Sequence, residues 1–293
     1  MVLTSTFWKD EFKYDPLGSR PRSLRLIRLL PPVRSSFPPF GEIPRIRISE
    51  ECLEGVEPFD ALSYTWGVTG TSLPSRPVIV ETPKDQRIVK VHRSLELALL
   101  SLSRRQGEAA NSLLFVDQIC INQTDDDEKV SQVKLMGDIY TSCERVVIWL
   151  GPATRQSDEF FQFTSEICSE GILSRVMGPN AGHFPRVFDA VMESDIEVDN
   201  EAMREDRDDI LWLVQRYGAR FPLYGAADVL GRPWFNRLWV IQEVCLAPNV
   251  VFVCGDHSLC FDCLRAGILF YTIWNKVCMK FRSQNSSSPV FIY

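Results

Sequence analysis

The stretch that most constrains the fold is residues 113–151, LLFVDQICINQTDDDEKVSQVKLMGDIYTSCERVVIWLG. It reads as strand, loop, helix, strand. Residues 113–116 and 119–121 are apolar and partly β-branched, the composition of a buried parallel strand. Residues 122–124 (NQT) break the run. Asp125 and Glu128 then have capping-box spacing, and the acidic run sits where a helix dipole favours negative charge. Val130, Val133, Met136, Ile139 and Tyr140 recur at three- to four-residue steps and predict one apolar helix face. Residues 145–150 (RVVIWL) form a second buried strand, stopped by Gly151-Pro152. A βαβ unit of this kind presents ligands at the carboxyl ends of its strands. Those ends carry Asp117, Cys120, Asn122 and Gln123 on one side and Gly151 on the other.

The rest of the chain continues the alternation. Residues 1–23 read as a loosely attached arm. Residues 24–30 (LRLIRLL) predict a first edge strand, the proline-rich 31–44 an irregular loop, and 45–49 (RIRIS) a half-exposed strand. DALSYTWG (60–67) is the next buried strand and turn. Residues 77–80 and 87–91 suit a hairpin, and Ser94 suits the N-cap of a helix over 95–105. Residues 152–230 differ: an amphipathic helix over 158–168, a Gly/Pro-rich loop over 171–185, and a mostly acidic run over 193–209 that reads as a solvated helix face. Pro233 then opens a helix with Trp234, Leu238, Ile241 and Cys245 as its stripe, and with Asn236, Trp239 and Glu243 on a neighbouring face. Residues 249–254 are a strand, 261–276 a final helix, and 282–289 a frayed, serine-rich end. This order predicts an α/β fold: a flavodoxin-like, doubly wound, mostly parallel sheet with a helical insertion and N-terminal β additions. The expected division is an arm with edge strands over 1–57, a central domain over 58–255 containing the insertion 152–230, and a C-terminal helix and tail over 256–293.

A hydrophobic content of 45% in 293 residues suffices for a packed core. The net charge of −6 is spread over both signs, without the basic patch of a nucleic-acid binder. The N-terminus lacks a basic segment followed by an apolar one, and the apolar run 266–274 falls well short of the ~20 residues a membrane span needs. A soluble cytoplasmic protein with no membrane span is expected. The nine cysteines are odd in number and scattered through apolar segments, as reduced core thiols would be. Cys254, His257, Cys260 and Cys263 suit zinc by type, but they lie within ten positions rather than as two pairs flanking a longer loop. A strand and turn that happen to carry thiols is the simpler reading, and no metal site is expected.

Three blocks then stand out: DALSYTWG, LFVDQICINQTDDDEKVSQVKLMGDIYTSCERVVIWLGP and GRPWFNRLWVIQEVCLAPNVVFVCG. In this order they closely resemble the three blocks of the fungal heterokaryon-incompatibility (HET) domain, over about residues 59–255. The upstream YDPLGSRPRSLRLIRLLPP resembles the usual lead-in. Phe115 stands where that family usually has Trp, and Gln118 where a small residue is common. The resemblance implies fungal nonself recognition and regulated cell death, exerted through self-association or other signalling proteins. The long C-terminal region of many such proteins is missing, so a truncated, inactive member is the alternative expectation. A second resemblance is to TIR domains, which share the flavodoxin-like sheet. LSYTWG resembles their first-strand motif, and Trp239 followed by Glu243 resembles their Trp-Cys-x-x-Glu helix motif, with Val240 in place of the cysteine. By that likeness Glu243 would be the catalytic carboxylate of an NAD glycohydrolase, with NAD as substrate and no other cofactor implied.

The chemistry has stated requirements. Glycosidic cleavage passes through a cationic ribosyl transition state, which a carboxylate facing the ribose stabilises. Tyr64 and Trp66, followed by Gly67, could stack on a base or nicotinamide ring, and Asp117, Asn122, Gln123 and Trp239 complete the expected binding set. Each has a structural alternative. Glu243 could pair with Arg237 or Arg232. Asp117 could cap the loop over 118–123, and Asn122 and Gln123 could satisfy that loop's backbone. Cys120 reads as a core residue, and Trp149, Trp234 and Trp239 as core anchors. His92 and His183 stand in no triad, and the chain has neither a nucleophile elbow nor a P-loop. Geometry separates the readings: an enzyme needs Glu243 in an open cleft beside Tyr64, Trp66 and Asp117, whereas a Glu243 buried against an arginine argues for structure.

Overall fold

A computed structural model describes residues 10–18, 20–36, 41–67, 75–105, 113–178, 184–192, 200–238 and 240–284. In chain order the elements are strands β1 (Ser23–Ser35), β2 (Gly41–Cys52), β3 (Phe59–Tyr64), β4 (Arg76–Glu81) and β5 (Gln86–Val91), then helix α1 (Arg93–Arg104). Strand β6 (Leu113–Phe115), the short helix α2 (Asp117–Cys120), α3 (Asp126–Ser142) and β7 (Arg145–Trp149) follow. Next come α4 (Arg155–Ser169), α5 (Ile172–Val176), α6 (Phe184–Met192), α7 (Glu201–Tyr217) and α8 (Leu223–Leu230). The chain ends with α9 (Val240–Cys245), β8 (Val250–Cys254), β9 (His257–Cys260) and α10 (Phe261–Gln284). These elements fall into two compact units, residues 1–153 with 232–256, and residues 154–231 with 257–293.

The strands of the first unit stand in the order β5-β4-β2-β1-β6-β3-β7-β8. The sheet is mixed. β6, β3, β7 and β8 run parallel, whereas β1 is antiparallel to both β2 and β6, and β4 to β5. β3 is buried along its whole length, as a strand flanked by parallel neighbours must be. Near the start of β3, Asp60 is buried and accepts Arg145 Nη2 at 2.9 Å, which ties β3 to β7 where the register pairs these residues.

Several local features depart from the sequence expectations. The segment 24–30 is no edge strand: β1 lies between β2 and β6, with Leu24, Leu26 and Ile27 fully buried. Strand geometry also runs on through Pro31-Pro32. Prolines cannot donate to a ladder, and the register shifts between Leu30 and Val33 to absorb them. Residues 119–121 do not extend β6. The chain turns into α2, where Cys120 N–H donates to Val116 O at 2.7 Å and Gln118 N–H to Asp117 Oδ1 at 2.7 Å. Ile119 and Cys120 are fully buried, so the apolar pattern reported burial correctly but could not tell a helical turn from a strand. Helix α1 begins one residue before Ser94 and has His92 as its N-cap residue, with no side-chain capping bond. The expected helix from Pro233 is broken. Pro233–Asn236 is a 3-10 turn, Arg237 is extended with φ −88° and ψ 135°, and α9 starts afresh at Val240. Leu238 and Ile241 are therefore exposed, while Trp234 is buried.

In the second unit, Thr154 and Ser157 form a reciprocal capping box at the start of α4. The core centres on Phe163, whose ring meets Tyr217, Phe221 and Phe270 edge-on. Part of the presumed loop over 171–185 is the short helix α5. The acidic run is not wholly a solvated face either: Asp206 on α7 is buried and accepts from Arg175. Cys168 and Cys263 form a disulfide, so these two thiols are not the reduced pair expected. Among the described residues no group of three His, Cys, Asp or Glu side chains is arranged for a metal, and no helix is long and apolar enough to cross a membrane.

Candidate functional site

Two glycines shape the carboxyl edge of the parallel strands. Gly151, just beyond β7, has φ +112°, and Gly255, after β8, has φ +54°. A Cβ at Gly255 would stand 2.5 Å from the Ala153 Cβ, so only glycine fits this close approach. Gly255 N–H donates to Gly151 O at 3.0 Å, and Arg232 Nη1 donates to Leu150 O at 3.0 Å and Pro152 O at 2.9 Å. Arg232 thus secures the chain beyond β7 rather than pairing with Glu243.

A buried polar network lies at the same edge, beyond β3 and β6. Ser63 and Tyr64 are the last two residues of β3, and both are buried. The Ser63 hydroxyl accepts from Trp234 Nε1 at 2.7 Å and donates to the Glu243 carboxylate. Arg237 Nη2 donates to the other Glu243 oxygen at 3.2 Å. Glu243 is only 5% exposed, so its charge is compensated inside the protein by an arginine and a hydroxyl. Arg237 is extended between the 3-10 turn and α9, and its guanidinium reaches Glu243 six residues further on.

Asp117 is half-buried and accepts from Trp66 Nε1 at 2.9 Å through Oδ2. Burial pushes its carboxyl up to about 6; bonds from Gln118 N–H and Trp66 oppose this, and the nearby Glu243 charge adds to it. Tyr64 donates to Gln118 Oε1 at 3.2 Å, and Gln118 Nε2 lies 2.7 Å from His92 Nδ1. Burial and the Asp117 charge raise the Tyr64 hydroxyl well above its ordinary value. Tyr140 on α3 is raised likewise by burial, with Glu243 and Asp117 as further causes.

Of the residues singled out from the sequence, Glu243 bonds Ser63, Trp66 bonds Asp117 and Tyr64 bonds Gln118, and the Asp117 and Glu243 groups are coupled through their charges. Gly67 is half-buried beside Trp66. Asn122 and Gln123 serve the loop: Asn122 Oδ1 accepts Thr124 N–H at 3.2 Å, and Gln123 Nε2 donates to Asp117 O at 2.9 Å. Trp239 and His183 lie outside the described residues. Ser63, Gln118 and Tyr140 join this network without any functional expectation from the sequence. A serine flanked by Leu62 and Tyr64 in the strand DALSY was the available signal for Ser63, because a buried hydroxyl demands a partner. Three members of the cluster weighed for zinc and set aside have other partners, while Cys260 is a free, exposed thiol. Cys263 is in the disulfide, Cys254 Sγ lies 3.8 Å from Pro152 O, and His257 Nε2 lies 3.2 Å from Asp158 Oδ1.

The three sequence blocks therefore meet in the network: Ser63, Tyr64 and Trp66 from the first, Asp117 and Gln118 from the second, Trp234, Arg237 and Glu243 from the third. The sequence model of the family described as "Heterokaryon incompatibility protein (HET)" matches residues 59–243, from the first residue of β3 to Glu243 itself. The chain belongs to the HET family. A relative, heterokaryon incompatibility protein 6, OR allele, from Neurospora crassa, is 32% identical over 201 residues. That alignment covers 67% of this chain and 28% of the relative. No solved structure matches the chain. Within the HET match, both ends of the matched segment are joined physically, since Ser63 and Glu243 are hydrogen-bonded across a separation of 180 residues.

Proposed function

We propose that this chain is a HET-domain module of fungal nonself recognition, which promotes regulated cell death in the cytoplasm by assembling with copies of itself or with other signalling proteins. Family membership supports the recognition role. The observation that carries the choice of assembly over catalysis is Glu243, which is 5% exposed and held by Arg237 and Ser63. A carboxylate so compensated acts as a lock joining the three family blocks rather than as a group awaiting substrate. We place the HET module at 58–255, with the insertion 152–230 and the C-terminal segment 256–293 as additions to it. The order of the parallel strands, second-first-third-fourth along the chain, supports a flavodoxin-like, doubly wound core of the TIR kind.

A second reading is an NAD glycohydrolase. It is favoured by the convergence of Tyr64, Trp66, Asp117 and Glu243 at the carboxyl ends of parallel strands, where such sheets bind ligands. It requires Arg237 to release Glu243. The test compares wild type with Arg237→Met/Glu243→Leu, a pair that removes both charges without stranding one in the interior. Expressed in a fungal host, the double variant keeps its killing activity, and cellular NAD stays level in both strains. NAD loss that accompanies wild-type killing and vanishes in the double variant overturns assembly in favour of the glycohydrolase, and a wild-type chain that never kills overturns both.

A further inference from the structure

Three cysteines of the second unit form a group that the HET reading does not use. Cys260 is exposed, ends β9 and directly precedes α10. Cys263 lies in the first turn of α10, so the two read as a C-x-x-C motif, CFDC. Cys263 is bonded to Cys168, near the C-terminus of α4 and 95 residues earlier. The Cys263 N–H donates to Cys260 Sγ at 3.4 Å, which holds the free sulfur against the residue that carries the bridge. Cys168 and Cys263 are half-buried and Phe261 and Asp262 are exposed, so the bridge lies close to solvent. Two cysteines at this spacing, one just before a helix and one in its first turn, are placed to form a disulfide with each other. A free thiol beside a disulfide is also the arrangement required for exchange by direct attack on sulfur.

We propose that Cys168, Cys260 and Cys263 are a thiol–disulfide exchange site. Cys260 gives its proton to solvent and its thiolate attacks Cys263 Sγ. The Cys260–Cys263 bond forms as the Cys263–Cys168 bond breaks, and Cys168 leaves as a thiolate that takes a proton from solvent. One disulfide and one thiol exist before and after, so no outside oxidant or reductant is consumed. The exchange removes the covalent link between α4 and α10 and leaves Cys168 as the reactive thiol. The site thereby switches a covalent clamp between two elements of one unit.

Peptide mapping tests this. Cleavage after arginine places Cys168 in the peptide 156–175 and both Cys260 and Cys263 in the peptide 238–265. The full chain carries Cys245→Ser, because Cys245 is the other exposed thiol in that second peptide. It is purified without reductant, incubated at mildly alkaline pH and alkylated at intervals. With Cys260 present, alkylated Cys168 appears together with a 238–265 peptide that contains an internal bridge. Adding Cys260→Ser, whose hydroxyl still accepts the helix N–H, slows the release of Cys168 by roughly ten-fold or more. Equal alkylation of Cys168 in the two proteins, whether high or nil, overturns the proposal. So does a Cys245→Ser chain in which all three cysteines are free.

Discussion

Asp117 shows how a single side chain links the site to stability. Folding lifts its carboxyl from an ordinary value of 3.8 to about 6, chiefly by burial. The folded state therefore prefers the protonated acid. Below about pH 4 both states hold the proton and the contribution is complete. As pH rises through about 6 the folded state must release a proton that the unfolded chain has already lost, and the contribution disappears. Allowing for partial exposure, this is on the order of 2 kcal/mol of stability lost between those limits. Asp117→Asn should remove that part of the slope, which urea unfolding midpoints of wild type and variant across this range will measure. The types of the site residues were legible in the sequence, because a tyrosine, a tryptophan and an aspartate at strand ends are conspicuous. Their partners were not. Ser63 and Gln118 gain meaning only from neighbours 180 and 54 residues away, Glu243 and Tyr64 respectively.

At the scale of an element, the N-terminus of α3 separates what local spacing can reveal from what tertiary contacts decide. Asp125 accepts the Glu128 N–H, as the capping spacing predicts, but the Glu128 carboxylate does not return the bond. It grips Arg25 on β1 with two contacts, at 2.6 and 3.0 Å, and accepts Asn122 N–H at 2.7 Å. Both charged side chains are almost fully buried. Asp125→Ala should therefore cost about 1 kcal/mol, the usual loss of a cap. Glu128→Ala should cost about 3–5 kcal/mol, because it strands a buried guanidinium. Denaturant unfolding of the two variants ranks them, and equal losses would contradict this account. The same contrast explains α9. Its apolar spacing continued smoothly from Pro233, yet the bond from Arg237 to Glu243 goes with an extended residue in the middle of the expected helix.

At the scale of the molecule, strand-helix alternation made the α/β class legible, while the mixed sheet was hidden because β1 reads like an edge strand and is an interior one. The disulfide was equally hidden, since nothing near Cys168 or Cys263 in the sequence names the other. Closing a loop of this length should stabilise the second unit by about 2–4 kcal/mol. Cys168→Ala should lower the unfolding midpoint in oxidising buffer and match wild type once excess dithiol is present, which removes the bond from both. The order in which the chain is made adds a consequence of the network around Glu243. The ribosome delivers Ser63 and Asp117 long before Glu243, and the whole segment 154–231 emerges in between. Throughout that interval β7 lacks its neighbour β8, and the Ser63 hydroxyl lacks both Trp234 and Glu243. The nascent sheet thus carries an open edge and an unfinished polar centre until residues 234–254 have emerged, a period in which chaperone protection counts most.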